Sequence, residues 1–224
     1  MNIVLPSIQL ETKDHPTHSI IWMHGLGADG NDFVPIINEL KLLPDTAARF
    51  IFPHAPELPV SINNGYVMRA WYDILDPGMG NVEDEAGIRH SQAAISALIE
   101  QEVQRGILTR NIILAGFSQG GVMALQTGLR YKEEIGGIIA LSCYLSLPLT
   151  LETEISHANR NVPVLMVHGN HDAVIPITKA KESREKLLQT GCAVEWHAYD
   201  MEHSVCGQEI LDISEWLNQR IKLQ

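Results

Sequence analysis

Apolar positions along the chain alternate between two textures. Short β-rich runs recur at 19–23, 49–52, 111–117, 137–142, 163–167 and 193–199. Most are continuously apolar rather than alternating, the pattern of strands in a parallel sheet covered on both faces. Between them the spacing turns helical. Residues 83–105 set Ile88, Ile95, Leu98, Ile99 and Val103 along one face, with acids in the first turn and Gly106 as a stop. Residues 119–130, 177–190 and 207–222 read as further helices, the last with Ile210, Ile213, Leu217 and Ile221 on one stripe. Strands alternating with helices predict an α/β architecture, a mostly parallel central sheet flanked by helices on both faces. One stretch, 54–82, breaks the pattern with three prolines and several glycines. In a compact domain such an excursion is expected to be a lid or a pocket wall.

Composition narrows the function. A chain of 224 residues is sized for one domain. Its formal charge of −11 repels phosphate backbones and anionic headgroups, which speaks against nucleic acid and against a stable membrane anchor. No apolar run approaches the ~18 residues of a membrane span. The start, MNIVLPSIQLETK, has no basic residue ahead of its apolar stretch and no small-residue cleavage site, so no secretory leader is expected. Three cysteines, Cys143, Cys192 and Cys206, without CxxC spacing fit free thiols and a cytoplasmic setting. A monomer or homodimer is expected.

The strongest chemical signal is Gly116-Phe117-Ser118-Gln119-Gly120, a G-x-S-x-G with an apolar strand entering it and a helix leaving it. Such a turn is sharp and strained, has no room for side chains at the flanking glycines, and lifts the serine over a helix N-terminus. A serine nucleophile needs a base, and the base an orienting acid, in the chain order Ser, Asp or Glu, His. Asp172 is the carboxylate lying just beyond an apolar strand, at the sheet edge where ligands bind in open α/β folds. Glu133, Glu134, Glu182 and Glu185 read as surface groups. Of the later histidines, His197 sits inside a strand, whereas His203 follows it in a loop. Ser118, His203 and Asp172 are therefore the candidate nucleophile, acid/base and orienter. The oxyanion of a tetrahedral intermediate calls for two N–H donors. Gln119 N–H is one candidate, and Leu26 N–H, in the glycine-rich loop 24–30, is the other.

That loop also spells G-x-G-x-x-G at Gly25, Gly27 and Gly30, a dinucleotide fingerprint. The ribose-holding acid expected about 20 residues on is replaced by Phe52-Pro53-His54, so no nucleotide cofactor is expected. His168, His171 and Asp172 look superficially like metal ligands, but they share one short loop and no HExxH accompanies them, so no metal is expected either. Cys143 reads as a small buried hydrophobe.

The segments His24 to Gly30, Arg69 to Ile74, Gly116 to Gly121, Gly169 to Pro176 and Tyr199 to Cys206 together resemble the phospholipase/carboxylesterase family, which includes acyl-protein thioesterases. The resemblance spans nearly the whole chain. It implies a single α/β-hydrolase domain over 1–224 without a large cap domain, the same three catalytic residues, and an oxyanion hole at Leu26 and Gln119. Met201 lacks the glycine that usually precedes it in the thioesterases, which is similar to the bacterial carboxylesterase branch. Trp71, Leu75, Met79, Tyr144 and Val174 are the candidate substrate-binding residues of an apolar groove. The expectation is a cofactor-free serine carboxylesterase acting on short- to medium-chain acyl esters, with thioesters as a further class. An acyl-protein thioesterase or lysophospholipase is the alternative within this chemistry, and a non-catalytic ligand-binding protein or a nucleotide-dependent oxidoreductase the alternatives outside it.

Overall fold

A computed structural model describes residues 5–76 and 82–222. Seven strands form the central sheet: β1 (Ser7–Glu11), β2 (His18–Met23), β3 (Ala48–Pro53), β6 (Ile112–Phe117), β7 (Gly137–Leu141), β8 (Pro163–Gly169) and β9 (Ala193–Tyr199). Their spatial order is β1-β3-β2-β6-β7-β8-β9. Every pair is parallel except β1 with β3, where Ser7 faces Pro53 and Glu11 faces Arg49. β4 (Glu57–Val60) and β5 (Tyr66–Arg69) form a separate antiparallel hairpin.

The continuously apolar runs have a simple cause. Along β2, Ile20 and Trp22 enter one core layer while Ile21 and Met23 enter the other. Three helices bury their stripes in the Ile21/Met23 layer: α2 (Glu85–Gln104) through Ile88, Ile95 and Ile99, α3 (Gln119–Arg130) through Val122 and Leu125, and α5 (Ile177–Gln189) through Leu187. The opposite layer is closed by α6 (Gly207–Lys222), with Ile213, Trp216 and Leu217, and by the short α1 (Ile36–Glu39). A further single-turn helix, α4 (Leu151–Glu154), leads into β8. At about 25 cal/mol per Å² of apolar area buried, each fully enclosed Leu or Ile contributes roughly 1.5–3 kcal/mol. No helix among the described residues is long and apolar enough to cross a membrane.

The predicted strands and long helices are present with ends shifted by two residues or fewer. Two features depart from the reading. β1 is an added antiparallel edge strand. The 54–82 excursion holds a hairpin, since Asn64 and Gly65 both adopt left-handed backbone (φ 55° and 73°) and turn the chain between β4 and β5. Its return is pinned by a bridge between Ile74 and Glu83. Met79 lies outside the described residues.

Candidate active site

Ser118 occupies the turn from β6 into α3 with φ 55° and ψ −123°, a backbone conformation that L residues rarely adopt. The turn is held by Ser118 N–H donating to the Leu141 carbonyl (2.9 Å) and by Val122 N–H donating to the Ser118 carbonyl (3.1 Å). It also requires its glycines: a Cβ at Gly116 would lie 2.2 Å from the Gly120 carbonyl carbon, and one at Gly120 would lie 2.1 Å from the Met23 oxygen.

Two loops at the carboxyl edge of the sheet meet this serine. The loop after β9 brings His203 to it, with Nε2 2.9 Å from Ser118 Oγ. The loop after β8 brings Asp172, whose Oδ2 lies 2.7 Å from His203 Nδ1. A carboxylate only accepts, so Nδ1 carries the proton and Nε2 is left to accept from the serine hydroxyl. The other carboxylate oxygen, Oδ1, accepts the backbone N–H groups of Val174 (2.9 Å) and Ile175 (2.8 Å). The two loops are tied together where Asn170 N–H donates to the Tyr199 carbonyl and His171 N–H to that of Met201. The Phe117 ring packs 4.7 Å from that of His203, centroid to centroid.

His168 lies behind the acid. Its Nε2–H donates to the Ile175 carbonyl (2.8 Å) and passes 3.3 Å from Asp172 Oδ2, while its buried Nδ1 has no partner among the described residues. Burial lowers the imidazole's pKa, which keeps it neutral. His171 turns the other way, to the surface, and pairs with Asp200. His168 and His171 therefore do not converge on a common point.

The glycine-rich loop after β2 forms the opposite wall. His24 is buried and fixes it from both ring nitrogens: Nδ1–H donates to the Gly25 carbonyl (2.7 Å), and Nε2 accepts from Ala55 N–H (3.0 Å). Burial is the main cause of its lowered pKa. Gly30 N–H donates to His54 Nδ1 (3.1 Å), and the helix that follows, α1, is a single turn. The fingerprint glycines thus build a loop against β3, not the long-helix N-terminus on which a dinucleotide phosphate would rest.

Between these walls lies a cavity of about 280 Å³, bounded by Leu26, Ser118, Gln119 and His203 and by a largely apolar lining that includes Ile74, Phe117, Val174 and Ile175. Over residues 6–221 the sequence matches the family described as Phospholipase/Carboxylesterase. The chain belongs to the phospholipase/carboxylesterase family.

Acyl-protein thioesterase 1 of Gibberella zeae is 37% identical over 215 residues, covering 92% of this chain and 91% of the relative. Acyl-protein thioesterase 1 of Yarrowia lipolytica is 33% identical, covering 97% and 98%. The crystal structure of Arabidopsis thaliana SOBER1 superposes with a TM-score of 0.86 at 29% identity, covering 91% of this chain and 99% of that one. Membership of the phospholipase/carboxylesterase family makes the chain a hydrolase.

The cavity recasts part of the expected groove. Tyr144 and Val174 line it, as do Ile74 and Ile175. Trp71 does not: it is 1% exposed, its indole N–H donates to the His24 carbonyl (2.9 Å), and its ring packs tilted against that of His24. It supports the floor of the site. Leu75 points to solvent, 44% exposed. Tyr72 lines the cavity and had no sequence signal beyond its place beside Trp71. His197 pairs with Glu195 on the surface of β9, and Cys143 is buried, with its thiol pKa pushed up by desolvation.

Proposed function

We propose that this hydrolase is a serine carboxylesterase, cleaving short- to medium-chain acyl esters and, by the same chemistry, thioesters. The observation that carries the reading is the unbroken hydrogen-bonded series Ser118 Oγ, His203 Nε2, His203 Nδ1, Asp172 Oδ2 opening onto an apolar cavity. In this reading Ser118 Oγ attacks the acyl carbon while His203 Nε2 takes its proton, and Asp172 holds the imidazole and offsets the charge it gains. The backbone N–H groups of Leu26 and Gln119 receive the oxyanion. Collapse of the intermediate expels the alcohol or thiol, which takes the proton from His203 and leaves an acyl-serine. Water, deprotonated by His203, then repeats the sequence and frees the acid. No step calls for a metal or cofactor.

The cavity's volume sits at the small end of ligand pockets, which favours short and middle acyl lengths. The named thioesterase relatives favour extending the reading to thioesters. The acidic surface and three unpaired cysteines fit a cytoplasmic enzyme acting on small substrates.

The test is initial rates on p-nitrophenyl esters from acetate to laurate, wild type beside Ser118→Ala. Hydrolysis peaking at short or middle chains and reduced at least about 10⁴-fold in the variant is expected. A rate that climbs to the longest chains would move the assignment to a long-chain thioesterase or lysophospholipase. Hydrolysis retained in Ser118→Ala would overturn the serine mechanism.

A further inference from the structure

One part of the cavity wall is polar where the reaction needs no polar group. Tyr72 Oη and Tyr144 Oη lie 3.1 Å apart, on residues 2% and 7% exposed, and both residues line the cavity. Each hydroxyl brings one proton and two lone pairs. Their mutual bond consumes one proton, and among the described residues the second has no other protein partner. Burying such a pair only to pack an alkyl chain would waste a donor in apolar surroundings, where two phenylalanines would serve better.

Both phenols are strongly disposed to stay protonated. Desolvation is the first cause in each case, and the nearby Glu83 carboxylate adds to it. Glu83 also bears on the choice of ligand. Lys179 and Arg130 both lie near that carboxylate, and a neutral oxygen is the partner that leaves this balance of charge undisturbed.

We propose that the Tyr72–Tyr144 hydroxyl pair is a subsite for a neutral oxygen carried on the acyl chain. A hydroxyl, ether or keto oxygen at the matching distance from the scissile carbonyl would take the unspent proton. The enzyme would then prefer such oxygenated acyl groups to all-carbon chains of equal length. The proposal rests on the serine-hydrolase reading and names the substrate class of that same site.

The experiment compares p-nitrophenyl octanoate with its isosteres in which a single chain methylene, at each position in turn beyond the one bonded to the carbonyl, is an ether oxygen. Rates are normalised to hydroxide-catalysed hydrolysis of each ester, which removes the inductive effect of the oxygen. Wild type should show one favoured oxygen position, with kcat/KM raised roughly 3- to 10-fold over octanoate, the value of one net hydrogen bond. That preference should vanish in Tyr72→Phe and in Tyr144→Phe, the readout being the ratio of oxygenated to all-carbon ester within each variant. A flat wild-type profile, or a preference that survives both substitutions, overturns the subsite. If one variant fails to fold the other decides, and if neither folds the wild-type profile decides. Should wild type hydrolyse no ester, the hydrolase reading fails separately. Calorimetric binding of octanamide and its oxa-analogues then judges the subsite, equal affinities overturning it.

Discussion

The side-chain amide of Gln119 grips the backbone on either side of the Trp71–Tyr72 peptide: its Nε2–H donates to the Tyr72 carbonyl (2.8 Å) and its Oε1 accepts from Trp71 N–H (2.9 Å). One residue thus links the Ser118 turn to the pocket wall, across 47 positions of sequence. Gln119→Ala keeps the backbone N–H but leaves two buried backbone groups without partners, at about 1–3 kcal/mol each. The expected result is a loss of roughly 2–4 kcal/mol in urea unfolding. A fall in kcat of at least about 10-fold should accompany it as the wall loosens. Unchanged stability would mean that water replaces the amide at no cost.

Gly120 tests how tightly the elbow is built. A methyl group there would meet the backbone oxygens of Met23 and His24 at 2.1 and 2.7 Å, and neither can rotate away. Gly120→Ala should cost at least about 3 kcal/mol, at the upper end of overpacking penalties. Soluble yield and the thermal midpoint are the measurements, and a midpoint within a degree of wild type would contradict the geometry.

His168→Leu removes the buried N–H that serves the Ile175 carbonyl and faces Asp172. An orphaned carbonyl costs about 1–3 kcal/mol, and the loop that presents the acid loses its tether. The expected signature is lower stability together with a kcat loss, and with partial recovery in His168→Asn, whose amide can donate. Equal defects in both variants would reduce the role of His168 to filling space.

Glu209 should make stability depend on pH in the direction opposite to a salt-bridged acid. It is fully buried in the first turn of α6, with one oxygen accepting from Cys206 N–H (3.3 Å) and the other without a partner among the described residues. Desolvation, the largest cause, raises its carboxyl from 4.5 to about 8. Between those values the folded protein holds a proton that the unfolded chain has released, so this group's contribution falls as pH rises from about 4.5 to about 8 and then levels off. Glu209→Gln should therefore unfold at higher urea than wild type at pH 8.5, with the gap closing towards pH 5. A gap independent of pH would show that the carboxyl is ionised throughout.

The positions of Ser118, Asp172 and His203 were legible because each lies just beyond an apolar strand, and strand ends are what periodicity marks best. Tyr72 was not, because its place in the cavity depends on Gln119, far away in sequence. Trp71 looked like a groove residue from its place among the apolar residues of the 54–82 excursion. Its indole N–H found the His24 carbonyl, and that bond took it into the core. The hairpin did carry a signal, the Asn64-Gly65 dipeptide, but Pro56 and Pro59 masked its first arm by reading against a strand. β1 is exposed along most of its length, so its hydrophobic pattern is faint.

The β4–β5 hairpin is a sheet of its own, tied to the loop after β2 by Gly27 N–H donating to the Arg69 carbonyl (2.9 Å), whereas Ser118, Asp172 and His203 follow strands of the main sheet. Insertions at its tip would therefore leave the register of that sheet intact. The sheet whose strands lead to those three residues and the hairpin beside it are separable pieces of one chain. The tip of the hairpin can thus be remodelled without renegotiating the turn that presents Ser118.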